Sequence, residues 1–280
     1  MSLLLLQLRG ELRKLFARKR TYIGFGAYVV LEILIILLFQ IHKVQVGFRS
    51  FVERAGGGFE HYFSGTTLAL VVLVATFLLT MLYLALVGGD VVAKEVEDGT
   101  MRMALCRPIS RVRLLLLKYV ACVIYTFALV TFVGASALLA CTLREGTGGL
   151  LAWAPEQGIL ALYDTDEGLV RYAGALFFYA LSFLSITTLA FMFSCFNMKP
   201  ATATIVTLSV FVIDWIFYHM PYFSSIKEYF LTHSMSTWSR VFALRIPWMQ
   251  MTEDYAYLLA IDATFVIVGV VAFQMRDFKS

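Results

Sequence analysis

Residues 93–118, AKEVEDGTMRMALCRPISRVRLLLLK, decide how this chain is organised. They form the most charged run in a 280-residue sequence that is 60% hydrophobic and only 15% charged, with a mean hydropathy of +0.79. A soluble domain is nearer half apolar and a quarter charged. On either side of the run lie apolar stretches, each long enough at roughly 20 residues to cross a bilayer. The run therefore reads as an exposed connection between two membrane spans.

Working outward, apolar runs fall at about 22–41, 66–87, 114–139, 169–195, 201–218 and 257–273. These predict an all-α membrane protein of six transmembrane helices, a single permease-like domain over 1–280. The fourth run is long enough to tilt or to project beyond the membrane. Residues 1–20 predict an amphipathic helix lying along the membrane surface: Leu4, Leu5, Leu8, Leu12, Leu15 and Phe16 share one arc, and Arg9, Arg13, Lys14 and Arg18 fall outside it. The first residues do not read as a signal peptide, because the apolar run is short and no small-residue cleavage site follows.

Lysine and arginine set the orientation. Fifteen lie on the side that holds the N-terminal arm, the 93–118 connection, the 196–200 turn and the tail; eight lie on the other. Both termini are expected in the cytoplasm, in a multi-pass protein of the inner (cytoplasmic) membrane. The net charge of +4 then conceals a basic inner face suited to anionic lipid or an acidic partner. Nucleic acid is not expected as a partner.

The outer connections differ. Residues 42–65 contain RAGGGFE and read as a flexible loop, and 140–168 have room for one short helix. Residues 219–256 are aromatic and too polar to span, and predict short helices at the outer leaflet before the sixth span. The four cysteines, Cys106, Cys122, Cys141 and Cys195, have no metal-binding spacing and no disulfide is expected. His42, His61, His219 and His233 all fall in outer connections without HxxxH or HxxE spacing, so no metal site is expected.

Inside the 93–118 region, GGD at 88–90 has glycines able to release the preceding helix, and VVAKEVEDG continues it to a break at Gly99. Thr100 then suits the N-cap of a short helix, Pro108 stops that helix, and Ser110 suits the N-cap of the next. A mere link between spans needs only a few residues. Residues 90–113 instead present a rigid, charged, cytoplasmic knob.

These residues resemble the signature of ABC-2 type permeases, the membrane subunits of ATP-binding-cassette exporters. That signature has an acidic residue before Gly-Thr, a short helix, Pro-x-Ser-Arg and a closing basic residue, met here by Glu95 or Glu97, Gly99, Thr100, Pro108, Ser110, Arg111 and Lys118. The usual Gly before the closing Lys is Leu117. The resemblance covers the whole chain, including the tail FQMRDF. It implies that the short helix is a coupling helix seated in a groove of a separate ATPase, with Glu95, Glu97, Gly99, Thr100, Arg102, Pro108, Ser110 and Arg111 as coupling residues. It also implies two ATPase copies and a second permease copy or close homologue. No cofactor is expected on this chain, with ATP and Mg held by the ATPase; in agreement, the sequence has no GxxxxGK[ST]. The chain itself is not expected to be an enzyme, and the substrate is expected to be lipid-like or amphipathic.

Three carboxylates interrupt the spans: Glu32 near mid-bilayer, and Asp214 and Asp262 at an expected common depth in the outer third. Each costs roughly 2.5–3.5 kcal/mol in lipid and must face protein or water. One reading makes them a polar lining of the translocation path; the other bonds each to Ser, Thr, Tyr or Trp on a neighbouring helix. They also support the alternative function, a secondary transporter with these carboxylates as proton or cation sites.

Overall fold

The computed structural model describes residues 3–17, 19–105 and 110–276. Twelve α-helices and one β-hairpin follow in order: α1 (Leu3–Ala17), α2 (Lys19–Leu38), α3 (His42–Arg54), α4 (Phe59–Tyr62), α5 (Gly65–Ala75), α6 (Phe77–Glu97), α7 (Thr100–Leu105), α8 (Arg111–Glu145), β1 (Leu150–Ala154), β2 (Ile159–Tyr163), α9 (Thr165–Cys195), α10 (Pro200–His219), α11 (Leu231–Met235) and α12 (Trp248–Gln274). Short 3-10 turns occupy Pro155–Gln157, Pro221–Tyr229 and Ser236–Phe242.

Five of these helices, α6, α8, α9, α10 and α12, are long and apolar enough to cross a membrane. A sixth passage is possible by length and composition if Leu4–Ala17 and Tyr22–Leu38, which meet at 56°, count as one bent pair. The molecule is a helical, multi-pass membrane protein. With 35 and 31 residues, α8 and α9 are about 50 Å and 45 Å long, well beyond a hydrocarbon core of about 30 Å. Both end at the hairpin, α8 leading into β1 and α9 following β2.

Helix α9 sits at the centre, packed most extensively on α6 and α12, with α8 and α10 alongside; α10 and α12 are the least covered. In lipid the hydrophobic effect does not bring helices together, so close packing must do so. Gly88 and Gly89 provide it. A methyl at Gly88 would lie 2.8 Å from both the Ala190 side chain and the Thr187 carbonyl oxygen on α9; one at Gly89 would lie 2.7 Å from Thr204 Oγ1 on α10. The GGD stretch thus corrects its sequence reading. It does not release the helix, and α6 runs unbroken to Glu97. The hydroxyl oxygen of Ser194 accepts from the backbone N–H of both Val92 and Ala93 (3.0 and 2.9 Å), tying α6 to α9 one turn further on.

The expected second span is divided in two at Thr76. The Thr76 hydroxyl donates back to the Leu73 carbonyl at 2.9 Å, and the buried Tyr179 hydroxyl reaches the same oxygen at 3.2 Å. Side-chain bonding of this kind competes with the helical ladder.

The connections near the hairpin also differ from their sequence reading. Residues 42–65 are not a flexible loop but hold α3 and α4. Residues 140–168 hold an antiparallel hairpin, with Leu150 opposite Tyr163, turned by Pro155–Gln157 and by Gly158 at φ +64°. The fold is therefore not purely α. Ser64 and Thr66 hydroxyls donate to the carbonyls of Gly149 (2.6 Å) and Gly148 (2.9 Å), which seats β1 on the start of α5. The last connection forms short helical turns as expected, but α12 starts at Trp248, nine positions before the predicted span.

Candidate functional site

The site is built at the other end of the bundle, where α1, α6 and α8 meet. Helix α6 closes with the N–H of Asp98 donating to Lys94 O and that of Gly99 to Val96 O (2.9 and 3.1 Å). Gly99 then adopts φ +72°, a left-handed value open to glycine at little cost. Helix α7 begins directly after it. Thr100 is not the N-cap expected from the sequence: it is the first helical residue, and its hydroxyl donates back to the Glu95 carbonyl at 3.2 Å. Met101 is buried and Met103 is exposed, so the helix has an anchored face and a bare one. Pro108 lies outside the described residues, and of Arg102 only the backbone is described. Ser110 caps α8, its hydroxyl oxygen accepting from the Arg113 N–H at 3.3 Å.

Near the end of α6 lies an ionic quartet, buried at Lys118 and Glu95 and open to solvent at Lys14. Lys118 Nζ, on α8 and 1% exposed, is 2.7 Å from Glu11 Oε2 on α1 and 2.7 Å from Glu95 Oε1 on α6. Lys14 Nζ is 2.7 Å from Glu11 Oε1 and 3.5 Å from Glu95 Oε1. Two ammonium groups thus alternate with two carboxylates, and the charge sums to zero. Burial pushes the Glu11 carboxyl up, but Lys118 and Lys14 outweigh it and hold the group below the ordinary carboxylate value. Burial pushes Lys14 down, and its bonds to Glu11 and Glu95 leave it above the ordinary lysine value. Such a network makes its members hard to remove singly and fixes one arrangement of the three helices.

Of the sequence-predicted residues, the structure joins Glu95, Thr100 and the closing Lys118. Glu95 does not form an outer wall of the knob, because α6 stays helical to its end. Positions 95 and 97 are then about 200° apart on the helix, so Glu95 turns inward and Glu97 outward. Glu97 pairs with Lys94 at 2.9 Å in solvent, a contact worth little by itself. Arg111, exposed, donates to the carbonyls of Gln274 (3.5 Å) and Arg276 (3.2 Å), binding the foot of α8 to the end of α12. Glu11 and Lys14 were missed as site residues. Their signal is a Glu-x-x-Lys spacing within the amphipathic arm, which also fits a solvated pair.

The carboxylates within the spans lie apart. Ser136 of α8 donates to Glu32 at 2.6 Å, and Glu32 is buried. Asp214 accepts from the N–H groups of Leu231 (3.1 Å) and Thr232 (2.7 Å) and from the Thr232 hydroxyl (2.7 Å), so it anchors the start of α11. Asp262 accepts from Ser185 Oγ at 3.2 Å, and its other oxygen is buried without a hydrogen-bond partner. Because α12 starts at Trp248, Asp262 is fourteen residues from one end and twelve from the other. It lies at mid-helix, whereas Asp214 is five residues from the end of α10. The expected common depth is therefore corrected. Asp90, read from the sequence as part of a connection, is buried within α6.

At the hairpin end, Arg171 caps the turn at 236–242 by donating to Val241 O and Ala243 O (2.7 Å each) and stacks 4.1 Å over the Tyr163 ring. His61 and His219 each approach one carboxylate, Asp164 and Glu156, at 3.9 Å. Among the described residues no three His, Cys, Asp or Glu side chains are grouped to share a metal ion.

A family model described as a protein of unknown function (DUF2705) matches residues 28–279. No curated protein matches the chain.

Proposed function

The chain belongs to the DUF2705 family, and we propose that it is the permease subunit of an ABC-2 type exporter. In this reading α2 is the first span and α1 lies along the inner leaflet. Helices α5 and α6 together make the second span, for six in all, with both termini cytoplasmic. Helix α7 is the part that a separate ATPase grips. The observation that carries the reading is the Glu95–Lys118 pair at 2.7 Å. The acidic and closing basic residues of the ABC-2-like stretch meet directly, and the short helix between them leaves the end of α6, which is tied there to a base shared by α1, α6 and α8.

A push on α7 would pass through that base rather than be absorbed by a loose loop. From α6 it would reach α9 through the Gly88 contact, and so the centre of the bundle. Two ATPase copies carrying ATP and Mg, and a second permease copy or close homologue, complete the exporter, which moves a lipid-like or amphipathic substrate outward. The exposed residues of the knob, Met103, Glu97 and Arg111, are the contacts.

The test is recovery of an ATPase on the tagged chain from native membranes, with Glu97→Lys and Gly99→Val as variants. Glu97→Lys changes the sign of an exposed wall. Gly99→Val forces a β-branched residue to φ +72°, where it is strained, and misplaces α7 without changing charge. Both variants are expected to insert normally and to lose the ATPase. Undiminished recovery with both variants, or no ATPase with the unaltered chain, sinks the reading. A second reading, a secondary transporter, is favoured by the partnerless oxygen of Asp262 at mid-helix. Transport driven by an ion gradient in ATP-free vesicles would decide for it.

A further inference from the structure

An open, mostly apolar groove of about 540 Å³ runs along the last turns of α12 beside the α9–α10 turn. Ile267, Val268, Val271, Ala272 and Met275 form its wall, and Arg276 stands at its end. That wall is about 12 Å long at 1.5 Å per residue, close to the depth of one leaflet's hydrocarbon. Helix α12 is among the least covered of the long helices, so the groove opens sideways, toward the bilayer.

The end of the groove is basic and held in place. Arg276 donates to Phe196 O at 3.3 Å and to Asn197 Oδ1 at 2.6 Å. Arg111 donates to the carbonyls of Gln274 and Arg276, which brings a second guanidinium to the same place. Lys199, outside the groove lining, is exposed on the α9–α10 turn. An apolar channel of leaflet depth, closed by cations at the depth of the headgroups, matches one class of molecule in both parts.

We propose that this groove binds an anionic phospholipid, with an acyl chain along α12 and the phosphate at Arg276 and Arg111. Arg supplies planar, charge-assisted donors to a phosphate, and a basic residue near the surface favours an anionic over a zwitterionic headgroup. The apolar wall selects a lipid over free phosphate, which has nothing to place there. The site is independent of the exporter reading, since it requires only that α12 crosses the membrane.

Photocrosslinking tests it in place. The full chain, with benzoylphenylalanine at Val271, is reconstituted in vesicles of equal phosphatidylglycerol and phosphatidylethanolamine, and the captured lipid is identified by mass spectrometry. The captured ratio of phosphatidylglycerol to phosphatidylethanolamine is expected to be about fivefold above that of the bilayer, from roughly one favourable cation–headgroup interaction. The enrichment should fall to the bilayer ratio in Arg276→Gln, and in Arg111→Gln should the first variant not fold. Benzoylphenylalanine at Ile216, on the exposed face of α10, should capture lipid without preference. Captured lipid at the bilayer ratio in the unaltered background, or a crosslink between two copies of the chain, overturns the proposal.

Discussion

The ammonium of Lys118 lies 2.7 Å from a carboxylate oxygen of Glu95, although one belongs to the foot of α8 and the other to the end of α6. The same ammonium holds Glu11 of α1, 107 residues away in sequence. Three helices that the chain reaches separately are thereby locked at one point, at the end of α6 from which α7 departs.

Removing Lys118 should therefore cost more than removing the pair. Lys118→Met leaves two buried carboxylates sharing one partly exposed lysine, and should destabilise by about 3–5 kcal/mol. Glu95→Gln combined with Lys118→Met removes a charge of each sign and should recover a large part of that loss. Thermal unfolding in nanodiscs reads both. Additive losses in the double variant would mean that the two residues do not interact.

The docking of α1 should depend on pH at both extremes. Glu11 is held below its ordinary value of 4.5, so its contribution is present above that value and lost as pH falls through the lowered one. Lys14 is held above its ordinary 10.5, so its contribution is present below that value and lost as pH rises through the raised one. Spin labels at Arg9→Cys and Leu116→Cys should report a single distance at neutral pH that broadens on acidification below 4.5. Glu11→Gln should abolish that acid transition. An identical acid profile in this variant would refute the assignment.

Two glycines should respond in opposite ways to the same change. Gly88→Ala places a methyl 2.8 Å from the Thr187 carbonyl oxygen and the Ala190 side chain, and should cost about 1–3 kcal/mol through overpacking. Gly10→Ala, at an exposed position of α1 with nothing within 4 Å of the new methyl, should gain about 0.5–1 kcal/mol of helix propensity. Equal shifts in unfolding temperature would show that Gly88 does not set the α6–α9 approach.

The orientation proposed from charge can be read with single cysteines in a background lacking the native four. Thr147→Cys and Glu228→Cys, both exposed at the hairpin end, should react with an impermeant thiol reagent in intact cells. Asn197→Cys, exposed at the opposite end, should react only after permeabilisation. The reverse pattern would invert the molecule and remove α7 from the reach of a cytoplasmic ATPase.

The sequence alone determined what depends on composition and local period. Runs of apolar residues marked the long helices, the leucine arc marked α1, and Gly99 and Ser110 marked the break before α7 and the start of α8. These are local matters: a backbone angle open to glycine, a hydroxyl within reach of its own chain, and a length set by 1.5 Å per residue. The hairpin was also locally signalled, by Pro-Glu-Gln-Gly between LLAWA and ILALY, but the reading of 140–168 as room for a short helix passed over it. What only the tertiary structure decided was which neighbour each polar group meets. Periodicity puts Glu95 and Glu97 on different faces without saying which face is covered. It cannot tell that Lys118 will find Glu11, that Asp214 will hold α11 while Asp262 reaches Ser185, or that Gly88 and Gly89 continue a helix rather than end it. Those outcomes depend on contacts between residues far apart in the chain, where close approach and the cost of burying a charge alone select the partner.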